Sequence, residues 1–475
     1  MSREAHTLIL VHDAHHIYAG IGIHDPFARP DVVIDTRVGR QCDGTYITYD
    51  QTVHPTAVSD VLWEYPIENG VVRDWKAVET LWRYVLETKL HIKPAENTYY
   101  LMLALPSPVS RDVYEESARL LFEQFNVPAL SMSEIPLMAA YAVGVLNGLM
   151  IDVGFNDTRV SAVSDCMAVP SASLVTKLGL IHCAWWLAYL LKQETDVVQA
   201  VEPVARGQLD AALWELAQDL IANKHVYVDA EAAPVVDEDE GVLDVAQALV
   251  EGREHDVVEE RERQKKMPAK PAAATSTSNA TSSSVVTVTF RDVAVPVGTV
   301  RTRFHEPLLR PALLDRVVLD VPMPYSVRDA QRARRIGGEP ACLSISDAAA
   351  WAANNVHPME RRPALWENII FTGEGSMIKG LPNELMQSFS SHMTTESTEL
   401  SQVIGEPHPW QPHNARLLRI PDYFSAFKER MDLAPYLGAT IFAKLVFGDL
   451  SGRNYITKKQ YNEGGPSVAF AMGSV

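Results

Sequence analysis

Cysteine is scarce in this chain. Four occur in 475 residues, at Cys42, Cys166, Cys183 and Cys342, and no two form a CxxC pair. That spacing excludes a disulfide framework or a zinc site and predicts free thiols in a reducing compartment. Long apolar runs are also missing. No stretch of about 18 uncharged apolar residues occurs, so no membrane-spanning helix is expected. The start, Met1-Ser-Arg-Glu-Ala-His, lacks the apolar core of a secretory signal, and a cytoplasmic or nuclear location follows as the expectation. Positive charge is in deficit, 42 Lys and Arg against 60 Asp and Glu, for a net charge of −18. Binding to phosphate backbones needs a basic surface, so direct nucleic-acid binding is not expected.

What is present is globular. Apolar residues make up 47% of the chain, enough for a sizeable core. The length suits roughly three domain-sized units. Leu8 to Val11 reads as a strand, Asp13 to His16 as a turn and Ile17 to Ile23 as a second strand. Trp75 to Leu90 has helical spacing of Val78, Leu81, Trp82, Val85 and Leu86, with Asp74 as N-cap. Tyr99 to Leu105 reads as a buried strand, Val113 to Phe125 as an amphipathic helix, and Leu149 to Val153 as a short strand ending at Asp152 and Gly154. From Asp229 to Glu262 the chain turns acidic. Pro268 to Ser284 is Pro, Ala, Ser and Thr, which cannot offset its ordering entropy by burial and is expected to be disordered. Ser390 to Gln402 reads as a loop insertion.

Several eye-catching groups have bland readings that weigh more. His12, His15 and His16 form a polar turn without the spacing of a metal site. Gly20-Ile-Gly22 lies between strand residues and not ahead of a helix, so it is no dinucleotide loop. Trp185 and Trp186 share helical spacing with Leu187, Leu190 and Leu191 and read as core. Arg332 to Arg335 reads as a solvated helix face.

Four blocks carry a resemblance. They are Tyr65 to Trp75 with its helix, Phe122 to Pro128, Val295 to Pro311 with Arg303-Phe304 and Glu306-Pro307, and Tyr455 to Val468. In content and order they resemble the actin family. The fold this implies is α/β, two halves (four subdomains) around a central cleft, with insertions in the large half. The implied division is 1–148 for the small half, 149–429 for the large half, and 430–475 for a return to the small half. The large half then carries an insertion at about 229–284 and a loop at about 390–416.

The resemblance also implies a nucleotide site, and here the chain departs from the family. Two Gly-rich turns grip phosphates in this family, because backbone N–H groups must approach the oxygens closely. The first turn here is Asp13-Ala-His-His16, with no glycine. The family's phosphate-contacting Lys falls on Tyr18. The second turn, Asp152-Val-Gly-Phe-Asn-Asp157, keeps Asp152 and Gly154 but has Asn156 at the next Gly. The water-positioning Gln falls on Ile135, the Lys–Glu pair beside the sugar on Ala222 and Asn223, and Glu374 interrupts the turn of Gly373 and Gly375. Hydrolysis needs charge stabilisation and an oriented water together. The expectation is therefore a non-enzyme without cofactor or metal. The vestigial site of Asp13, Asp152, Gly154, Gly373 and Gly375 would hold ATP at most weakly.

Between Arg40 and Glu64 the chain does not resemble the family's polymerisation loop, so filaments are not expected. Gly241 to Ala246, Val257 to Arg263, Trp366 to Ile370 and Pro421 to Phe424 resemble the fungal nuclear branch numbered nine. That branch implies a nuclear scaffold subunit of the SWI/SNF and RSC remodelling complexes. It would pair with a second actin-related protein, number seven in the family, and clasp the helicase–SANT-associated helix of the motor ATPase. The family's partner groove maps to Tyr141, Gly144, Leu146, Phe442, Leu445 and Phe447. Two other readings stay open: a dynactin-type cytoplasmic scaffold, and a genuine actin-class ATPase.

Overall fold

The computed structural model describes residues 6–23, 25, 28–41, 44–49, 62–68, 71–228, 285–336, 342–393, 412–448 and 454–473. The acidic segment from Asp229, the Pro268 to Ser284 stretch and most of the loop from Ser390 lie outside the described residues.

Two sheets organise the chain. The first contains β1 (Thr7–His12), β2 (His16–Ile21), β3 (Val32–Asp35), β4 (Tyr100–Leu105) and β5 (Ala129–Glu134). The second contains β6 (Gly148–Val153), β7 (Thr158–Ser164), β8 (Met167–Thr176), β9 (Ile369–Thr372) and β10 (Leu417–Leu418), and β11 (Ile456–Thr457) returns to the edge of the first. The two share one plan. Reading across the first gives β3-β2-β1-β4-β5, and across the second β8-β7-β6-β9-β10. In each, an antiparallel meander feeds a central strand whose other neighbour runs parallel to it. The duplication is topological and leaves no short-period repeat in the sequence.

Strand periodicity then assigns faces, since alternate residues point to opposite sides. In β1, Leu8 and Leu10 join a core on the outer side of the first sheet, under helices α1 (Trp75–Arg83) and α2 (Arg111–Arg119), while Ile9 and Val11 join a second core on the inner side. In β6, Leu149, Ile151 and Val153 face the large-half core, and Met150 faces inward. Strands buried on both faces read as the continuous apolar runs that the sequence shows. Asp74 caps α1 as expected, accepting from the N–H groups of Lys76 (2.9 Å) and Ala77 (3.3 Å). Trp185 and Trp186 are 1% and 4% exposed, within α4 (Leu180–Leu191), so they are core.

The inner core between the sheets is filled by α3 (Ile135–Val143) and α5 (Ala434–Gly448). They approach so closely that a Cβ at Gly438 would overlap the Met138 carbonyl oxygen. Glycine is required there for the contact itself. Both helices are apolar on nearly every side, as befits helices packed between layers.

Candidate functional site: a sealed cleft and an open groove

The family's nucleotide cleft lies where the two β-hairpin turns meet. Asp13 continues the inward-facing series Ile9, Val11, and Asp152 the series Met150, Asp152, so both carboxylates are aimed into the cleft. The first hairpin closes tightly: the Asp13 N–H donates to the His16 carbonyl at 2.9 Å, and the Ala14 N–H to the Asp13 carboxylate at 2.6 Å. The second closes with the Gly154 N–H donating to the Asp157 carbonyl at 3.0 Å. The Leu180 and Ile181 N–H groups at the start of α4 donate to the carbonyls of Gly154 and Phe155 at 3.1 and 2.8 Å. Those helix-end donors are therefore engaged by protein.

A buried ion pair and two histidine–carboxylate contacts bridge the turns. Arg159 is the residue directly opposite Asp152 in the β6–β7 ladder. Only 3% exposed, its guanidinium lies 3.0 Å from Asp13 in the opposite half and 3.6 Å from Asp157. His15 lies 4.0 Å from Asp157, and His16 lies 3.8 Å from Glu374. Burial, and then the neighbouring charge of Asp13, push the Asp152 carboxyl well above the usual carboxylate range. Burial works against the Arg159 charge, but Asp157, Asp13 and Asp152 outweigh it and hold the guanidinium firmly protonated. Burial, then Asp13, Asp432, Asp152 and Glu374, keep the Tyr18 hydroxyl neutral.

Little space is left. The remaining cavity is about 20 Å³, lined by Asp13, Tyr18, Ile135, Asp152, Gly154, Gly373 and Glu374 among others. That is room for about one water. Gly373 has φ +78°, and a Cβ on it would strike the Asp152 carboxylate. A Cβ on Gly375 would come within 2.7 Å of Val153. Four of the five vestigial positions, Asp13, Asp152, Gly154 and Gly373, thus line one cavity, and Gly375 packs beside it on Val153. These glycines serve close packing of protein on protein. Among the described residues, no cluster of three or more His, Cys, Asp or Glu could hold a metal.

A second concavity opens at the other end of α3 and α5. Its volume is about 510 Å³, and Tyr141, Phe442 and Leu445 line it with Leu130, Met132, Cys166, Met167 and Tyr455. Tyr141 and Phe442 are in ring contact at 5.3 Å across the helix pair. Gly144 ends α3 in a left-handed conformation, with open space where a side chain would stand. Leu146 is 63% exposed beside the groove, and its carbonyl accepts from the Cys166 N–H at 2.9 Å.

Phe447 is a correction. It is 1% exposed and packs on Tyr100 and Tyr455 in the inner core, at ring distances of 5.6 and 5.4 Å. It continues the buried stripe of Tyr436, Thr440 and Ala443. Leu445, two residues earlier, is 59% exposed on the groove side.

Sequence reasoning also missed Arg159. A four-residue turn between Val153 and Thr158 pairs position 152 with 159 by simple counting, so an Arg opposite Asp152 in a strand otherwise free of charge was the available signal.

Comparison with known proteins agrees with this architecture. The chain is 23% identical to the SWI/SNF and RSC complexes subunit arp9 of Schizosaccharomyces pombe over 442 residues, covering 85% of this chain and 78% of that protein. It is 27% identical to actin-related protein 7 of Arabidopsis thaliana over 234 residues, 48% of this chain and 63% of that protein. It is 33% identical to actin-related protein 4 of the same plant over 114 residues, 24% of this chain and 25% of that protein. The family profile described as Actin matches residues 7–471, so with two topologically matched halves meeting at a cleft, the chain belongs to the actin family.

Proposed function

We propose that this protein is a non-catalytic actin-related scaffold of a nuclear, ATP-dependent chromatin-remodelling complex. The observation that carries the proposal is the contrast within one helix pair: the cleft end is closed by protein charges, and the far end presents an open apolar groove of about 510 Å³. Likeness along 85% of the chain to a SWI/SNF and RSC subunit supports the choice of complex. The groove accepts an amphipathic helix, read through anchors at i, i+3, i+4 and i+7. Its occupant is the helicase–SANT-associated helix of the motor ATPase, and the partner alongside is a second actin-related protein, number seven in the family. Exposed apolar surface of this kind normally marks a binding site.

The test is cross-linking mass spectrometry on the complex purified through the tagged full-length chain. Links from the motor helix to the segments around Tyr141 and Leu445 are expected. Recovery with dynactin subunits, or motor links confined to other faces, overturns the reading.

A further inference from the structure

We propose that Arg159 acts as a built-in substitute for a bound ligand, tying the two halves shut across the cleft and thereby holding the groove in a fixed shape. Three observations meet here. The guanidinium is almost wholly buried, and it reaches from β7 in one half to Asp13 in the other at 3.0 Å. It is the one cation set between the carboxylates of Asp13 and Asp157, among the described residues, with the raised carboxyl of Asp152 opposite it in the ladder. The closed turns around it leave about 20 Å³. A buried carboxylate cluster with no counter-charge repels itself and opens to water. One internal cation removes that repulsion permanently, without any exchangeable ligand. The flanking pairs His15–Asp157 and His16–Glu374 cross the same seam.

The link to the groove is mechanical. Ile135 at the start of α3 and Pro435 at the start of α5 both line the cleft cavity. Tyr141 near the end of α3, with Phe442 and Leu445 on α5, lines the groove. The helices are locked side by side at Gly438 and Met138. Packed helices shift as bodies and do not deform continuously. This clause rests on the proposal that the groove is the partner site.

Hydrogen exchange on the isolated full-length chain tests both parts without any partner, so its outcome is separate from that of the cross-linking. Arg159→Met should raise exchange by about tenfold or more in segments 13–16 and 154–157. It should also raise exchange in segments 139–143 and 441–446. Adding Asp13→Asn should then cause no further rise, because the two residues act as one tie. Unchanged turns, multiplying effects of the two substitutions, or a groove that stays at the wild-type rate would each overturn the proposal. Should Arg159→Met not fold, Asp13→Asn alone decides: it must loosen the same segments.

Discussion

The helices 135–143 and 434–448 end on opposite kinds of surface. At one end, charged side chains from both halves meet around Arg159 and leave about 20 Å³. At the other, aromatic and aliphatic side chains stand apart around about 510 Å³. The residue types are inverted relative to what each place would need for the other task. A phosphate site needs glycine amides and free cations, and here the Asp13 and Gly154 amides are bonded within the turns and the Arg159 guanidinium is paired with Asp13. A helix-binding groove needs apolar anchors with water-accessible rims, which is what Tyr141, Phe442 and Leu445 supply. The two ends are thus built from opposite residue types on one helix pair, locked side by side at Gly438 and Met138.

The sharpest way to break the comparison is through α5, where two neighbouring residues serve different ends. Phe447→Ala should destabilise the fold by about 3–5 kcal/mol, since it empties a fully buried aromatic site that little can refill. Chemical denaturation measures this, and a loss under about 1 kcal/mol would show that the residue is not core.

A pH experiment probes the buried side next. His12 and His182 are fully buried, and each Nδ1 accepts a hydrogen bond: from the Trp82 indole N–H at 3.0 Å, and from the Gly179 N–H at 3.0 Å. Burial lowers both imidazoles from 6.5 to about 4. Between those values the unfolded chain binds a proton that the folded chain refuses, so each histidine makes stability fall as pH drops from 6.5 to 4. The size is about 3 kcal/mol per residue across the window. Asp152, with its raised carboxyl, acts in the opposite sense, so the measurement is a difference. His182→Gln should flatten stability against pH by about 1.4 kcal/mol per pH unit within that window. Parallel curves for variant and wild type would contradict it.

These cases show what could be read in advance. Both strands of the first hairpin, the first strand of the second, the Asp74 cap and the burial of Trp185 and Trp186 follow from local pattern, because periodicity and capping are local. The exposure of Leu445 against the burial of Phe447 does not. Helix 434–448 is apolar on almost all sides, so its sequence has no polar stripe from which to orient it. The burial of Arg159 is a tertiary fact of the same kind. Its register to Asp152 could be counted, but its reach to Asp13 depends on how the halves meet.

A smaller effect belongs to the groove. Leu445→Asp changes a side chain already 59% exposed, so stability should move by no more than about 0.5 kcal/mol. Binding of the motor helix should weaken by about 2 kcal/mol, roughly thirtyfold, if Leu445 is an anchor. Pull-down of the motor subunit at wild-type level, with the melting temperature unchanged, would remove Leu445 from the site.

The smallest expected effect is at the cleft itself, where adding ATP should do almost nothing. A triphosphate cannot enter about 20 Å³ without parting Asp13 from Arg159. Its charges would then join those of Asp157 and Glu374, with a single guanidinium to share. The N–H groups of Asp13 and Gly154 already donate to His16 and Asp157, so neither is free to repay that cost. For a dissociation constant of about 1 mM or weaker, about 1 mM ATP stabilises by at most about 0.4 kcal/mol. In a chain of this size that moves the melting temperature by less than about 1–2 °C. No hydrolysis is expected, for a further reason: Ile135 and Tyr18 line the cavity and provide neither a group to orient water nor a cation for the transferring phosphate. Thermal melts with and without magnesium and ATP, together with a phosphate-release assay, test this. A rise of several degrees, or turnover above a heat-killed control that Asp152→Ala abolishes, would mean that the cleft opens readily and that its charges are arranged for a nucleotide after all.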